Sequence, residues 1–393
     1  MSVIRRLASL AAVAAVVASP FSGGAPSGGA TDVNPLALSF VSASRGYALG
    51  EVACGTGSWC ATLSRTGDAG RTWTTARLPA GVGRLPGPAP FPGVGVLGVA
   101  FADPRDGWVY GWAPAATRAG GAAGLWSTHD GGRTWHRVDL AAIGVRTPVL
   151  ALAAAHDRAY LIGGRLDQRY GLWTTPAGDD AWRRVPGVTW LPPAGGAQVT
   201  GAIVLRGRVG WALVGNDRGV TGASRLLAAG RWVPWGAPCA AVGDSYVVPT
   251  ALSARALEVV CSIGGFGGYS AHAPPGARLG DPWLYASTDG GARFVPVRRL
   301  GLAPPTLLGS VSPVLLTRTT VVVVSESGNA VALRESRDGG ARFAVVYRVG
   351  RDAAIGAVDV ASARVAVAIV QSGRGAYLVR SADGGRTWSR SSL

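Results

Sequence analysis

The chain has 393 residues, of which 48% are hydrophobic and only 15% charged, with 59 Gly, 25 Pro and 14 Trp. That mix excludes a disordered chain and argues for a turn-rich globular fold with ample length for a large core. The formal charge of +16 is carried by arginine alone, since the chain contains no lysine. An Arg-only chain heavy in Ala, Gly and Pro suggests biased codon use, so the charge by itself does not argue for a nucleic-acid partner.

Residues 1–30 read as a targeting segment. A short basic start, "MSVIRR", precedes an apolar run over 7–18, and small residues follow at 19–30. The run is shorter than the ~20 residues that a membrane-spanning helix needs and fits a secretory signal. The expectation is an exported protein, secreted or associated with the cell envelope. Residues 31–393 then form one domain, with no stable membrane span once the signal is cleaved.

Four cysteines follow: Cys54, Cys60, Cys239 and Cys261. Export and an even count favour disulfides, and of the three possible pairings the local one, 54–60 with 239–261, closes the shortest loops. Four buried thiols are the alternative. Neither pair has CxxC spacing, and His129, His136, His156 and His272 do not cluster with them, so no metal site and no cofactor are expected.

A short phrase recurs from residue 66 onward. "TGDAGRTW" ends at Trp73, "THDGGRTW" at Trp135, "STDGGARF" at Phe294, "SRDGGARF" at Phe343 and "SADGGRTW" at Trp388. Two worn copies, ending at Trp182 and Trp232, fill the gap, with Ala177 and Ala228 where an Asp is expected. A period of about 50 residues marks a repeat architecture, and propeller blades are among the few units of that size. Each copy is preceded by apolar strand candidates such as "VLGVAFAD" (96–103), "DGWVYGW" (106–112) and "LWST" (125–128), and its last residues begin another strand. Four short strands per unit, seven units and no helical periodicity predict an all-β, seven-bladed β-propeller of four-stranded antiparallel blades.

The phrase has a mechanical reading. Asp68, Asp130, Asp289, Asp338 and Asp383 can accept backbone N–H groups just ahead of them in the chain. Gly70, Gly132, Gly291, Gly340 and Gly385, two residues on, can take positive φ without a Cβ clash. The closing Trp73, Trp135, Phe294, Phe343 and Trp388 bury a ring that staples the turn to its blade. The phrase is a hairpin between third and fourth strands, not a catalytic signature.

These residues resemble the Asp-box, or bacterial neuraminidase repeat, signature S/T-x-D-x-G-x-T-W. The resemblance covers residue 35 to the C-terminus and is similar to sialidases, sortilin-type propellers, xyloglucan-cleaving glycosidases and, most of all, photosystem II assembly-factor-like propellers. It implies a seven-bladed propeller, and for that last group a scaffold-like, non-enzymatic role.

In a propeller whose strands run outward from the axis, the boxes and the short turns between first and second strands share one end. The long Pro/Gly-rich connections at 79–96, 113–124, 186–197 and 262–282 fall at the other, where function is expected. Arg84, Arg146, Arg165, Arg169, Arg218, Arg278, Arg351 and Arg374 are the candidate ligand-binding residues there, since guanidinium forks suit carboxylates, phosphates and sulfates. Trp112, Trp190, Trp235 and Trp283 lie in or beside these loops, to stack on a ligand or to anchor the loops. The expected function is a binding or scaffold module recognising a protein or an acidic glycan or envelope polymer. The alternative is a sialidase-like glycoside hydrolase. It would need three Arg, a Tyr–Glu nucleophile pair and an Asp acid, but the early Arg-Ile-Pro string of that family is absent. Only Glu51 and Glu326, of four Glu, fall near the loop-rich end.

Overall fold

The computed structural model describes residues 33–55, 58–76, 78, 85–86, 98–113, 122–165, 167, 169–192, 199–216, 219–236, 239, 249–262, 282–300, 314–327, 330–349, 353–372, 375–391 and 393. The signal-like segment 1–30 lies outside them. Seven antiparallel sheets succeed one another along the chain, and each adds its four strands in sequence order. Blade 1 covers 34–76, blade 2 98–137, blade 3 151–190, blade 4 200–234, blade 5 250–299, blade 6 314–348 and blade 7 353–391. The two-residue strand Leu85–Pro86 adds a fifth member to blade 1 by pairing with Ser58 and Trp59. The innermost strands meet one another in cyclic order, so the protein is an all-β, seven-bladed β-propeller, with no helix among the described residues.

The strand composition follows from this geometry. A middle strand is covered by a neighbouring blade on each side, so it becomes a continuous apolar run. In blade 3 the second strand, Arg158–Gly164, is buried from Ala159 to its end. Outer strands such as Val295–Arg299 lack that cover and are largely exposed. Near the start of the second strand, blades 1 to 4 carry Tyr47, Trp108, Tyr160 and Trp211, which face the next blade. Tyr47 stacks on Phe101 with ring centroids 3.5 Å apart and donates its hydroxyl to the Pro104 carbonyl. Trp108 meets Trp182 edge-on at 6.1 Å, and Tyr160 meets Trp232 at 5.3 Å. Trp211 donates Nε1–H to the Gly290 carbonyl of blade 5 at 3.1 Å. Truncating a buried ring of this kind costs about 3–5 kcal/mol, so these aromatics are a principal source of blade cohesion.

The five D-G phrases share one set of bonds. The hydroxyls of Thr66, Thr128, Ser287, Ser336 and Ser381 accept the N–H of the glycine four residues on, at 2.7–2.9 Å. Each hydroxyl also donates to the Asp two residues on. That Asp in turn accepts the N–H of Thr72, Thr134, Arg293, Arg342 or Thr387. Gly70, Gly132, Gly291, Gly340 and Gly385 all have positive φ. A second left-handed residue precedes each of them: Ala69, Gly131, Gly290, Gly339 and Gly384. Its N–H is tied to a carbonyl of the turn between the first and second strands, on Ser44, Arg105, Arg255, Thr319 or Arg364. The two turns at this end of a blade are therefore bonded to each other, which explains why a second small residue follows the Asp.

The worn copies are held otherwise. In blade 3 Thr175 donates to the Asp179 carbonyl, the Asp179 carboxylate accepts the Ala181 N–H, and Ala177 N–H still reaches Asp157 O. In blade 4 a plain backbone turn links Leu227, Gly230 and Arg231.

The ring closes without strand exchange among the described residues, because all four strands of blade 7 come from 353–391. Blade 7 meets blade 1 through the cluster of Leu38, Phe40, Ala357, Val367, Ile369 and Leu378. Three hydrogen bonds cross the same seam, from Phe40 N–H to Asp359, from Arg380 to Ala69 O, and from Ser391 to Gly70 O.

Candidate binding face

Strand direction gives the two ends of the propeller different equipment. At the box end every hairpin is short and its polar groups are largely committed within the blade. The strand ends Ala76 and Gly98, Ala113 and Ala122, Trp190 and Thr200, Pro234 and Thr250, Ser262 and Pro282, and Arg299 and Val314, between which the longer connections run, all lie at the opposite end. Of the arginines expected to bind there, Arg84, Arg218, Arg278, Arg351 and Arg374 lie outside the described residues. Arg146, Arg165 and Arg169 are described; the last two belong to blade 3 and Arg146 to the connection that enters it.

The structure brings those three together. The hairpin between the second and third strands pairs Gly164 with Tyr170 and ties Arg165 N–H to Arg169 O at 2.9 Å. Arg146, in the connection entering the blade, donates its N–H to Gly164 O at 2.8 Å. Arg146 and Arg169 are exposed, and Arg165 reaches Asp167 at 3.4 Å. Arg184 lies nearby, its guanidinium held by Val188 O and Thr189 Oγ1. Its pKa is lowered by burial and then by the positive charge of Arg165, with Asp167 opposing.

At the same end of blade 1, Glu51 stands opposite Asn34 and accepts the Asn34 side-chain amide at 2.7 Å. Burial raises the Glu51 pKa, with that amide opposing. The Glu326 side chain lies outside the described residues. Cys239 and Cys261 are joined, with Cα atoms 5.4 Å apart, which fastens the connection between blades 4 and 5 to the second strand of blade 5. The Cys54 side chain is outside the described residues. Of the tryptophans, Trp190 and Trp235 are core residues, 5% and 7% exposed. Trp235 donates to Gly291 O in the box of blade 5, so neither ring is free to stack on a ligand. Trp283 packs beside the disulfide, and the Trp112 side chain is not described.

Sequence reading did not anticipate a polar cluster at the box end. Asp180, from the worn copy of blade 3, accepts the buried Ser127 hydroxyl of blade 2 at 2.6 Å. His129 lies between Asp180, at 3.6 Å, and Asp106, at 2.9 Å. Burial raises the Asp106 pKa, opposed by the bond from His129. Because Ser127 is fully buried and bonds the carboxylate instead of the imidazole, this is a tie between two blades and not a nucleophilic triad. A separate carboxyl, Glu258, stands where blades 1 to 4 carry an aromatic. Burial pushes its pKa up to about 7, against the opposing charge of Arg298. Among the described residues no group of three or more His, Cys, Asp or Glu side chains is arranged to hold a metal ion. Nor does any helix there have the length and apolarity to cross a membrane.

No family model and no curated protein matches the chain. Solved structures do. The chain is similar to YCF48 bound to D1 peptide at 16% identity and TM-score 0.52, covering 97% of this chain and 99% of that one. It is similar to the β-propeller domain of the trilobed protease from Pyrococcus furiosus, described as an open velcro topology, at 8% identity and TM-score 0.53, covering 93% and 97%. A polysaccharide lyase, the PL25 ulvan lyase bound to a glucuronate–sulfated rhamnose chain, matches at 12% identity and TM-score 0.51, covering 96% and 97%. At such identities these likenesses establish the fold.

Proposed function

We propose that the protein is an exported binding or scaffold module of the Asp-box type, recognising a protein or an acidic envelope ligand through its loop-rich end. The observation that carries this reading is the division of labour between the two ends. Box-end turns are bonded to each other in every blade but the fourth, whereas the extended connections and the grouped arginines of blade 3 stand at the other end. Loops on a rigid scaffold are the usual carriers of recognition. Propellers of this shape hold a peptide in one neighbour and an acidic sugar chain in another, which suits either ligand class. The test is a pull-down from envelope extract with the mature protein across a salt series, repeated with the 262–282 connection shortened. A salt-sensitive partner lost on shortening supports the proposal; a partner retained by that variant and lost on box-end substitution overturns it.

One observation favours a second reading, a glycoside hydrolase of the sialidase type. Glu51 is a half-buried carboxyl with a raised pKa at the loop-rich end, the condition that suits a general acid. Turnover of a fluorogenic sialoside that disappears in Glu51→Gln would establish it.

A further inference from the structure

We propose that the loop-rich end of blade 3 docks on an anionic membrane surface, with Arg146, Arg165 and Arg169 meeting lipid phosphates and Leu191 entering the headgroup layer. This deepens the reading above by naming the surface that one part of that end would face, and it rests on that reading.

The argument starts from register. Tyr170 pairs with Trp190 in antiparallel strands, so Arg169, one residue before the pair, lies beside Leu191, one residue after it. Arg165 is bonded to Arg169 across the hairpin, and Arg146 to the neighbouring Gly164. Arg146, Arg165, Arg169 and Leu191 thus form a row across the end of one blade, about 15 Å long for chains about 4.8 Å apart. Leu191 is 62% exposed, the most open of the large apolar side chains described. The row is anchored from below, because Trp190 is buried in the core between blades 3 and 4.

Charge complementarity selects the occupant. Asp167 is the one carboxylate that the described residues place in an ion pair at this end, and it bridges Arg165 alone. Arg184 adds a further cation, and the hydrogen bonds of its guanidinium go to neutral acceptors. A soluble acidic protein would satisfy the arginines but gains nothing from the exposed Leu191 set beside them. A bilayer interface does: guanidinium groups contact phosphates while an adjacent aliphatic side chain crosses into the acyl boundary. Each basic side chain held at an anionic leaflet strengthens binding about five-fold.

Vesicle co-sedimentation of the mature chain tests this, comparing phosphatidylcholine alone with phosphatidylcholine carrying a third phosphatidylglycerol. The expected result is binding to the anionic vesicles only, weakened by salt. Arg165→Glu with Arg169→Glu lowers the partition coefficient at least about ten-fold, and Leu191→Ser lowers it several-fold with unchanged salt dependence. A matched reversal at the box end, Arg133→Glu with Arg386→Glu, leaves most of the binding. Equal loss in both double variants overturns the proposal, because net charge alone then explains adhesion. Full competition by soluble glycerol phosphate also overturns it, as a free-phosphate site would. So does binding of polyglutamate, but not of vesicles, through the same arginines. If vesicles fail while the envelope pull-down still captures its salt-sensitive partner, the membrane surface is wrong and the binding-module reading stands.

Discussion

Asp359, in the innermost strand of blade 7, accepts the backbone N–H of Phe40, in the innermost strand of blade 1, at 2.9 Å, and so bonds the two ends of the chain across the closing seam. Its other oxygen accepts the Val360 N–H at 2.8 Å, and the side chain is fully buried. Between blades 1 and 2 the matching bond runs from Phe101 N–H to the Ser39 hydroxyl at 3.0 Å. The seam therefore uses a carboxyl where another blade pair uses a neutral group. With no strand exchanged there, removing the acceptor leaves a buried N–H without a partner. Asp359→Ala should destabilise the fold by about 1–3 kcal/mol, and Asp359→Ser by less. Urea unfolding followed by tryptophan fluorescence measures the difference.

The same carboxyl makes stability depend on pH. Burial raises the Asp359 pKa to about 7, against the two N–H bonds that favour its charged form. A group whose folded pKa lies above its unfolded value holds a proton that the unfolded chain has already released. Its contribution is complete below about pH 4 and is lost as pH rises towards 7. Glu258, also raised to about 7, adds to this fall. The box aspartates act oppositely: the Thr134 N–H and hydroxyl lower Asp130 to about 2 despite an opposing burial effect, and Asp68, Asp289 and Asp338 are lowered in the same direction. Their contribution is present above about pH 4 and lost below it. From these groups, stability should peak near pH 4. Asp359→Asn should flatten the decline between pH 4 and 7 and leave the acid limb unchanged, as read from Tm against pH.

Blade number, strand order and turn position were legible in the sequence because each blade repeats the same local chemistry: a hydroxyl, an Asp and two small residues acting within a few positions. Contacts between blades were not legible in this way. Ser127 and Asp180 lie 53 residues apart, and Asp180 belongs to a copy whose expected Asp position holds Ala177. Nothing local announces that its carboxylate has been turned towards the preceding blade. Trp190 and Trp235 likewise sit among loop-like residues in sequence, and only packing shows that both rings are core. The arginines of blade 3 were found from their placement at strand ends, but their alignment with Leu191 depends on register across a bulged outer strand.

Ala69 gives a prediction of the opposite sign to most substitutions. It adopts a φ of 65° at the position where the other clear boxes carry Gly131, Gly290, Gly339 and Gly384, all at positive φ. A Cβ disfavours that conformation by about 1–2 kcal/mol, partly offset by the greater freedom of glycine in the unfolded chain. Ala69→Gly should therefore stabilise the protein by about 0.5–1 kcal/mol. Gly131→Ala should do the reverse by more than that, since a Cβ there falls 2.8 Å from the Pro104 carbonyl oxygen. Paired thermal melts of the two variants check both signs at once.

The Cys239–Cys261 bridge should matter most locally, because blade 5 is weakly built near the axis. Its innermost strand is only Thr250–Ala251, joined to the second strand at two register positions, whereas the innermost strand of blade 4 runs from Thr200 to Arg206. The disulfide clips the connection that precedes this short strand to Cys261, a fully buried residue of the second strand. Bridging residues separated by 22 positions removes unfolded-chain entropy equivalent to about 3 kcal/mol. Cys239→Ser with Cys261→Ala should lower stability by about that amount. Amide exchange should rise first at 250–262 and in the facing strands of blades 4 and 6, before blades 1 to 3 respond. Uniform exchange across all seven blades would instead mean that the ring unfolds as one unit and that the bridge acts only through the unfolded chain.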